Sequence, residues 1–268
     1  VSAAARLDGR AALVTGAGRG IGRQIALRLA AEGARVVLTG RSTDALASVS
    51  EEIQRAGGYA LAVPGDVRDE QSVAELVRVA RERVGPIELL VANSGIAGPT
   101  RELWELSLED WDETLRVNLT GVFLTCRAVA PEMLERRSGA IVVIGSGTGK
   151  NPLAGRTPYA ASKAGLIGLV RSLAWELGPH DVRVNLVSPG AIGGERLDGV
   201  IERQAAATGR SSEEVRATFV EGSALGQVAS AEDVAAAVAF LLSDDARAIT
   251  GEDLNVSMGV GDALMGRV

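Results

Sequence analysis

The chain has 268 residues, 46% of them hydrophobic, and a formal net charge of −6 at pH 7. That is enough apolar material for a large core, and the acidic balance argues against a nucleic-acid binder, which needs a basic face. Cys126 is the only cysteine and His180 the only histidine, which excludes an intramolecular disulfide, a Cys/His zinc site and a Ser-His-Asp triad with a spare imidazole, so no metal is expected.

Apolar, β-rich runs alternate with longer stretches of helical spacing from Ala11 to about Val256, without a Pro/Ser-rich linker. In chain order the pattern predicts a strand at Ala11–Thr15, a helix at Ile21–Glu32, a strand at Arg35–Thr39, a helix at Asp44–Ala56 and a strand at Ala60–Val63. A helix at Glu70–Val84, a strand at Ile87–Ala92, one long helix at Leu108–Arg136 and a strand at Ala140–Ile144 follow. The rest reads as a helix at Tyr159–Leu177, a strand at Arg183–Val187, a helix at Ala231–Leu242 and a last strand near Leu254. Crossovers of this length enforce parallel pairing and cover both sheet faces. The expectation for 1–268 is therefore a single-domain, doubly wound (Rossmann) α/β fold: a parallel seven-stranded sheet with helices on both faces and ligands at the strands' carboxyl ends.

Residues 191–228 break the rhythm with two charged helical patterns, Leu197–Gln204 and Glu213–Phe219, and no strand between them. Following a strand's carboxyl end, they are expected to form a substrate lid, the alternative being a surface excursion. Cys126 lies in an apolar run and reads as a buried, inert thiol; His180 reads as a loop residue without a role. No apolar run approaches the roughly 20 residues that span a bilayer, and the stretch before Leu7 is too short and plain for a secretory signal. A cytoplasmic protein with no membrane partner is expected.

Chemistry enters at the end of the first strand, where Thr15-Gly16-Ala17-Gly18-Arg19-Gly20-Ile21-Gly22 opens a helix. Glycines there let backbone approach a pyrophosphate, and the helix N-terminus supplies N–H groups and positive dipole to the anion. About twenty residues on, where an NAD site would offer a carboxylate to the ribose hydroxyls, the chain reads Thr39-Gly40-Arg41-Ser42. Arg41, with Arg19, could pair with a 2′-phosphate, so NADP(H) is favoured; were Arg41 merely solvated, NAD(H) would stay open. Further on, Tyr159-Ala160-Ala161-Ser162-Lys163 sets a phenol and an ammonium four residues apart on one helix face. A neighbouring cation stabilises a phenolate and makes the phenol a general acid/base near neutrality. The chain holds only two tyrosines and two lysines, so such a pair by chance is improbable.

With these residues in order, the chain resembles the short-chain dehydrogenase/reductases from about Leu7 to Val256. The resemblance rests on Thr15 to Gly22, Asp66-Val67, Asn93-Ser94-Gly95, Asn118, Ser146 thirteen positions before Tyr159, the Tyr159 to Lys163 motif and Pro189-Gly190. It implies that Tyr159 exchanges a proton with the substrate oxygen, that Ser146 hydrogen-bonds and orients that oxygen, and that Lys163 binds the nicotinamide ribose and eases ionisation of Tyr159. Asn118 would hold a water that links Lys163 to solvent. Gly16, Arg19, Gly20, Ile21, Gly22, Arg41, Asp66, Val67, Asn93, Gly95, Pro189, Gly190 and Ile192, with Tyr159 and Lys163, would line the cofactor, Asp66 at the adenine. Singly, Asp66, Asn93 and Asn118 could each be turn or cap residues. The chain departs from the family where Ala191-Ile192-Gly193-Gly194 replaces a frequent threonine and where Asn255-Val256-Ser257-Met258-Gly259 lacks Asp-Gly-Gly.

The helix at Tyr159–Leu177 is apolar or small on nearly every side, which predicts a homodimer or homotetramer through this helix and the one carrying Asn118. The small charged lid favours a small polar carbonyl/alcohol substrate. Two other readings stay open: a 3-oxoacyl-thioester reductase, favoured if arginines such as Arg127, Arg136 and Arg137 form a carrier-binding patch, and a non-catalytic nucleotide sensor. Lys150 and Arg156, between Ser146 and Tyr159, are exposed residues or anchors for a substrate anion.

Overall fold

The computed structural model describes residues 6–260. β1 (Ala11–Thr15) alternates its side chains between two apolar layers. Ala12 and Val14 meet Ile25 and Leu29 of α1 (Gly20–Ala31), whereas Leu13 joins Leu90, Ile141 and Leu166 on the other side. Each such aliphatic side chain, fully withdrawn from water, contributes about 1.5–3 kcal/mol. The remaining strands are β2 (Arg35–Thr39), β3 (Tyr59–Ala62), β4 (Leu89–Ala92), β5 (Gly139–Ile144), β6 (Val182–Pro189) and β7 (Asp253–Val256). They pair in the order β3-β2-β1-β4-β5-β6-β7, every pair parallel, giving the seven-stranded doubly wound sheet that the alternation predicts. The order reverses between β1 and β4, and such a switch point opens a crevice at the strands' carboxyl ends.

Helices start where side chains satisfy their free N–H groups. Ser42 Oγ accepts from Ala45 at the head of α2 (Thr43–Arg55), and Asp69 accepts from Gln71 and Ser72 at the head of α3 (Glu70–Arg83).

The expected single helix at Leu108–Arg136 is not continuous α-helix. α4 (Leu108–Leu115) runs into a π turn at Arg116–Thr120 before α5 (Gly121–Arg136), and the Gly121 N–H reaches back five residues to the Arg116 carbonyl. A π turn inserts one residue and re-aims those beside it; here it carries Asn118, fully buried. Gly121 lets the turn close on the neighbouring loop, since a Cβ there would stand 2.8 Å from Val67 Cγ2. The following helix is α6 (Thr157–Leu177).

The excursion after β6 forms α7 (Glu195–Thr208) and α8 (Ser212–Glu221), both longer than the sequence pattern predicts. Its base is pinched shut by a β-bridge between Ile192 and Ala229 and by Gly193 N–H donating to the Ala229 carbonyl. Leu197, Ile201, Ala205 and Val215 turn toward each other and toward Phe219 and Val228 as a small core of their own. Beyond the excursion, Ser230 and Asp233 form a reciprocal capping box on α9 (Ala231–Leu242), which packs on α1 beneath one face of the sheet.

Candidate active site

The glycine loop is locked to β4 across the switch point. Thr15 Oγ1 accepts from both Asn93 N–H and Ser94 N–H at 2.9 Å, and Asn93 Nδ2 donates to the carbonyls of Thr15 and Gly16 at 2.8 and 3.2 Å. Gly22 brings α1 against this turn: a Cβ would lie 2.2 Å from the Gly16 carbonyl oxygen, so no other residue fits without displacing backbone. Gly16 and Gly20 hold positive φ of 64° and 53°, the left-handed region glycine enters at little cost. The turn therefore presents Arg19, Gly20 and the first N–H groups of α1, beginning at Ile21, outward to the crevice.

Arg19 and Arg41 are exposed at the carboxyl ends of β1 and β2, and neither guanidinium hydrogen-bonds or ion-pairs with another described residue. Asp66, just beyond β3, is already engaged: Arg68 reaches its carboxylate through Nε and Nη2, at 2.9 and 2.5 Å to Oδ2, and pairs through Nη1 with Glu113. The Arg68 hydrogen bonds hold the Asp66 carboxyl below the usual carboxylate range. Any adenine contact by Asp66 would share lone pairs with that arginine. Val67 beside it is buried against the π turn.

The central cluster gathers around α6. Lys163, buried, donates from Nζ to the Ile144 carbonyl at 2.8 Å and stands 5.8 Å from the centroid of the Tyr159 ring. A Cβ on Gly95 would lie 3.6 Å from that Nζ and 3.3 Å from Asn118 Oδ1, so the loop after β4 runs directly past both side chains. Asn118 ties this loop to α6: Oδ1 accepts from Ile96 N–H, and Nδ2 donates to the Ile96 carbonyl and to Ser162 Oγ. Ser146 follows β5, its Oγ accepting from Thr148 N–H at 3.2 Å, and the turn it opens packs its Gly149 on the backbone of Lys163. Pro189 and Gly190 close the far side; Gly190 packs on Ser257, and Ile192 lies beyond it in the pinched bridge.

The family model described as "Enoyl-(Acyl carrier protein) reductase" matches residues 16–261. The 3-oxoacyl-[acyl-carrier-protein] reductase FabG of Aquifex aeolicus is 40% identical over 256 residues, 95% of this chain and 98% of that one. The chain belongs to the short-chain dehydrogenase/reductase family. It is thereby related to oxidoreductases acting on CH–OH and C=O groups. Among solved members of the family, a single-residue variant of the actinorhodin polyketide ketoreductase with NADPH superposes with a TM-score of 0.90 at 36% identity, covering 97% of this chain and 99% of that one. A 7α-hydroxysteroid dehydrogenase complexed with NADH superposes with a TM-score of 0.86 at 34% identity, covering 95% of each chain.

Within this dehydrogenase/reductase chain, Lys150 and Arg156 both face inward onto partners. Lys150 Nζ lies 3.0 Å from Asp253 and also donates to Asn255, tying the loop after β5 to β7. Arg156 Nη2 donates to the Ala97 carbonyl at 2.9 Å, with its guanidinium carbon 4.9 Å from the Tyr159 ring centroid. Arg127, Arg136 and Arg137 each meet a carboxylate, of Glu70, Glu88 and Asp181. Burial pushes the Cys126 thiol up to about 12, consistent with an inert packing role. Sequence reasoning missed the Thr15 hydroxyl, the Ile144 carbonyl and Ser162. Only Ser162 carried a signal, as a polar residue inside an otherwise small-residue helix motif. Among the described residues no helix is long and apolar enough to cross a membrane, and no His/Cys/Asp/Glu group could hold a metal ion.

Proposed function

We propose that the chain interconverts a small polar ketone and its secondary alcohol with a nicotinamide dinucleotide, NADP(H) in preference to NAD(H). The observation that carries this reading is the buried Lys163 ammonium beside the Tyr159 ring, passed by the same loop that is bonded to the glycine turn. The dinucleotide fits the chain's own backbone: a Cβ on Gly20 would meet nothing within 4 Å, so the head of α1 is open for a pyrophosphate, and Arg19 and Arg41 are free to meet a 2′-phosphate. Gly16, Ile21, Gly22, Val67, Asn93, Gly95, Pro189, Gly190 and Ile192 would line it, with Asp66 toward the adenine and Lys163 on the nicotinamide ribose.

When bound, that cofactor supplies or accepts the hydride. Reduction at a carbonyl carbon builds negative charge on oxygen, so donors must already face it. Tyr159 Oη gives that oxygen a proton, and Ser146 Oγ donates a hydrogen bond that holds it in line. Lys163 favours the phenolate left behind. The Asn118 amide is committed to Ile96 and Ser162, so the water it would hold for proton return falls to its main-chain carbonyl at the π turn.

The segment 191–228 serves as the substrate lid. Leu197, Ile201, Val215 and Phe219 are spent on its own core, leaving Leu225 exposed in a segment rich in charged residues, which favours a compact polar substrate. Of the arginines that could greet an acyl carrier, Arg127, Arg136 and Arg137 each already stand beside a carboxylate. Likeness to FabG keeps 3-oxoacyl thioesters as the second reading. Assembly as a dimer or tetramer is supported by the outer side of α6, where Ala164 and Trp175 stand exposed.

The test follows NAD(P)H absorbance against polyols, hydroxy acids, ketones and acetoacetyl thioesters, beside Tyr159→Phe. Turnover that falls by about 10²–10⁴-fold in the variant while cofactor still binds is expected. Cofactor binding without Tyr159-dependent turnover on any substrate would leave a nucleotide sensor.

A further inference from the structure

We propose that Arg156 is a positioning residue for Tyr159: stacked on the phenol ring and anchored to the Ala97 carbonyl, it fixes the ring's orientation and favours the ionised phenol. This rests on Tyr159 being the proton donor. Three observations converge on it. The Arg156 guanidinium carbon is 4.9 Å from the ring centroid, closer than the Lys163 ammonium at 5.8 Å. A guanidinium at this distance is attracted to the ring's electron-rich face, and the attraction grows when the ring carries negative charge. The same guanidinium is not left to swing, because Nη2 donates to the Ala97 carbonyl at 2.9 Å.

The second observation is where Arg156 sits. It is the N-cap of α6, with no side-chain capping bond, at a position that favours Ser, Thr, Asp or Asn. A cation there also opposes the positive end of the helix dipole. An arginine in that place is unfavourable for the helix, since its donor-only guanidinium cannot accept from the helix's free N–H groups, and its side chain lies over the ring.

The third is the loop it holds. Residues 93–101 follow β4 and are fastened to the catalytic side at successive points: Ile96 to Asn118, Ala97 to Arg156, and Arg101 N–H to the Gly155 carbonyl at 3.0 Å. Through Arg156 the position of this loop is coupled to the phenol. Two cations stand against the ring, Arg156 from the turn ahead of α6 and Lys163 from α6 itself, each steadied by a main-chain carbonyl, of Ala97 and Ile144.

The chain's two tyrosines make a direct test possible. Tyr59→Phe keeps the ring that stacks under Arg35 at the start of β3 and leaves Tyr159 as the sole phenol. Phenolate absorbance in that background then titrates Tyr159 alone, with no cofactor or substrate present. Arg156→Gln is expected to raise the midpoint by about half a unit to one unit, with Arg156→Lys in between because it keeps charge without the stacking plane. The pH profile of kcat for alcohol oxidation should move by the same interval, with KM for the substrate nearly unchanged. An unmoved midpoint in a folded Arg156→Gln protein overturns the proposal. So does a KM raised about tenfold or more at an unmoved profile, which would make Arg156 a substrate contact. If the parent chain shows no turnover at all, the functional reading fails while the titration still decides the coupling of Arg156 to Tyr159.

Discussion

Asn118 Nδ2 donates to Ser162 Oγ across 3.1 Å while Oδ1 of the same amide accepts from Ile96 N–H at 2.8 Å. One side chain thus fastens the loop after β4 to α6 from within the π turn. Asn118→Ala would leave the Ile96 backbone groups without their partners, at about 1–3 kcal/mol. The expected result is a lower denaturant midpoint together with a loss of turnover. Asn118→Asp should be no milder, since it keeps one acceptor, loses both donor bonds and adds a charge to a buried site. A variant that unfolds at the parent midpoint would show that the clamp carries no weight.

Cofactor choice is predicted to turn on Arg41. Removing a charge-assisted contact to a 2′-phosphate, worth about 1.5–3 kcal/mol, should weaken NADPH binding by roughly 10- to 100-fold in Arg41→Ala. NADH binding should barely change. Isothermal titration with both cofactors reads the difference, and equal losses for both would place Arg41 away from the 2′-phosphate.

Acid stability should depend on Glu32, whose carboxylate at the end of α1 is buried between Arg6 and Arg28. Burial alone would raise this carboxyl, but the hydrogen bonds from the two arginines outweigh it and hold it below its ordinary value of 4.5. With the folded value depressed, the stabilisation is fully present above the unfolded value and is lost as pH falls through the folded one. Urea midpoints of the parent and Glu32→Gln should therefore differ at neutral pH and draw together only as pH falls below the ordinary carboxylate value and through the depressed folded one. A constant gap across that range would contradict the assignment.

Trp175 is 85% exposed on the outer side of α6. Seated in a subunit interface, it should not tolerate charge, so Trp175→Glu is expected to lower the mass read by light scattering without loss of secondary structure. A parent chain that already scatters as a monomer would refute the interface.

The alternation of short apolar runs with stretches of period 3.6 made the sheet and its flanking helices readable, because parallel strands buried on both faces leave unbroken runs such as Ala11–Thr15. The Tyr159–Lys163 spacing was equally legible, since both residues lie on one helix and need no tertiary information. The π turn at Arg116–Thr120 was not. A single inserted residue in a long apolar helix leaves the composition of each face almost unchanged, so periodicity runs straight through it. Pairings across the chain were hidden for a different reason. Nothing local shows that Lys150 will meet Asp253 and Asn255, or that Arg68 will bridge Asp66 to Glu113, because those distances exist only once the sheet has assembled.

The bridge between Ile192 and Ala229 brings the two ends of the α7–α8 excursion together just beyond the carboxyl end of β6. A segment that leaves and returns through one doorway, and that keeps an apolar core of its own, behaves as a cassette. Its far end also meets the stretch after β7, where Leu225 N–H donates to the Met258 carbonyl, so changes of length and surface confined to α7 and α8 are the ones that should leave strand register intact.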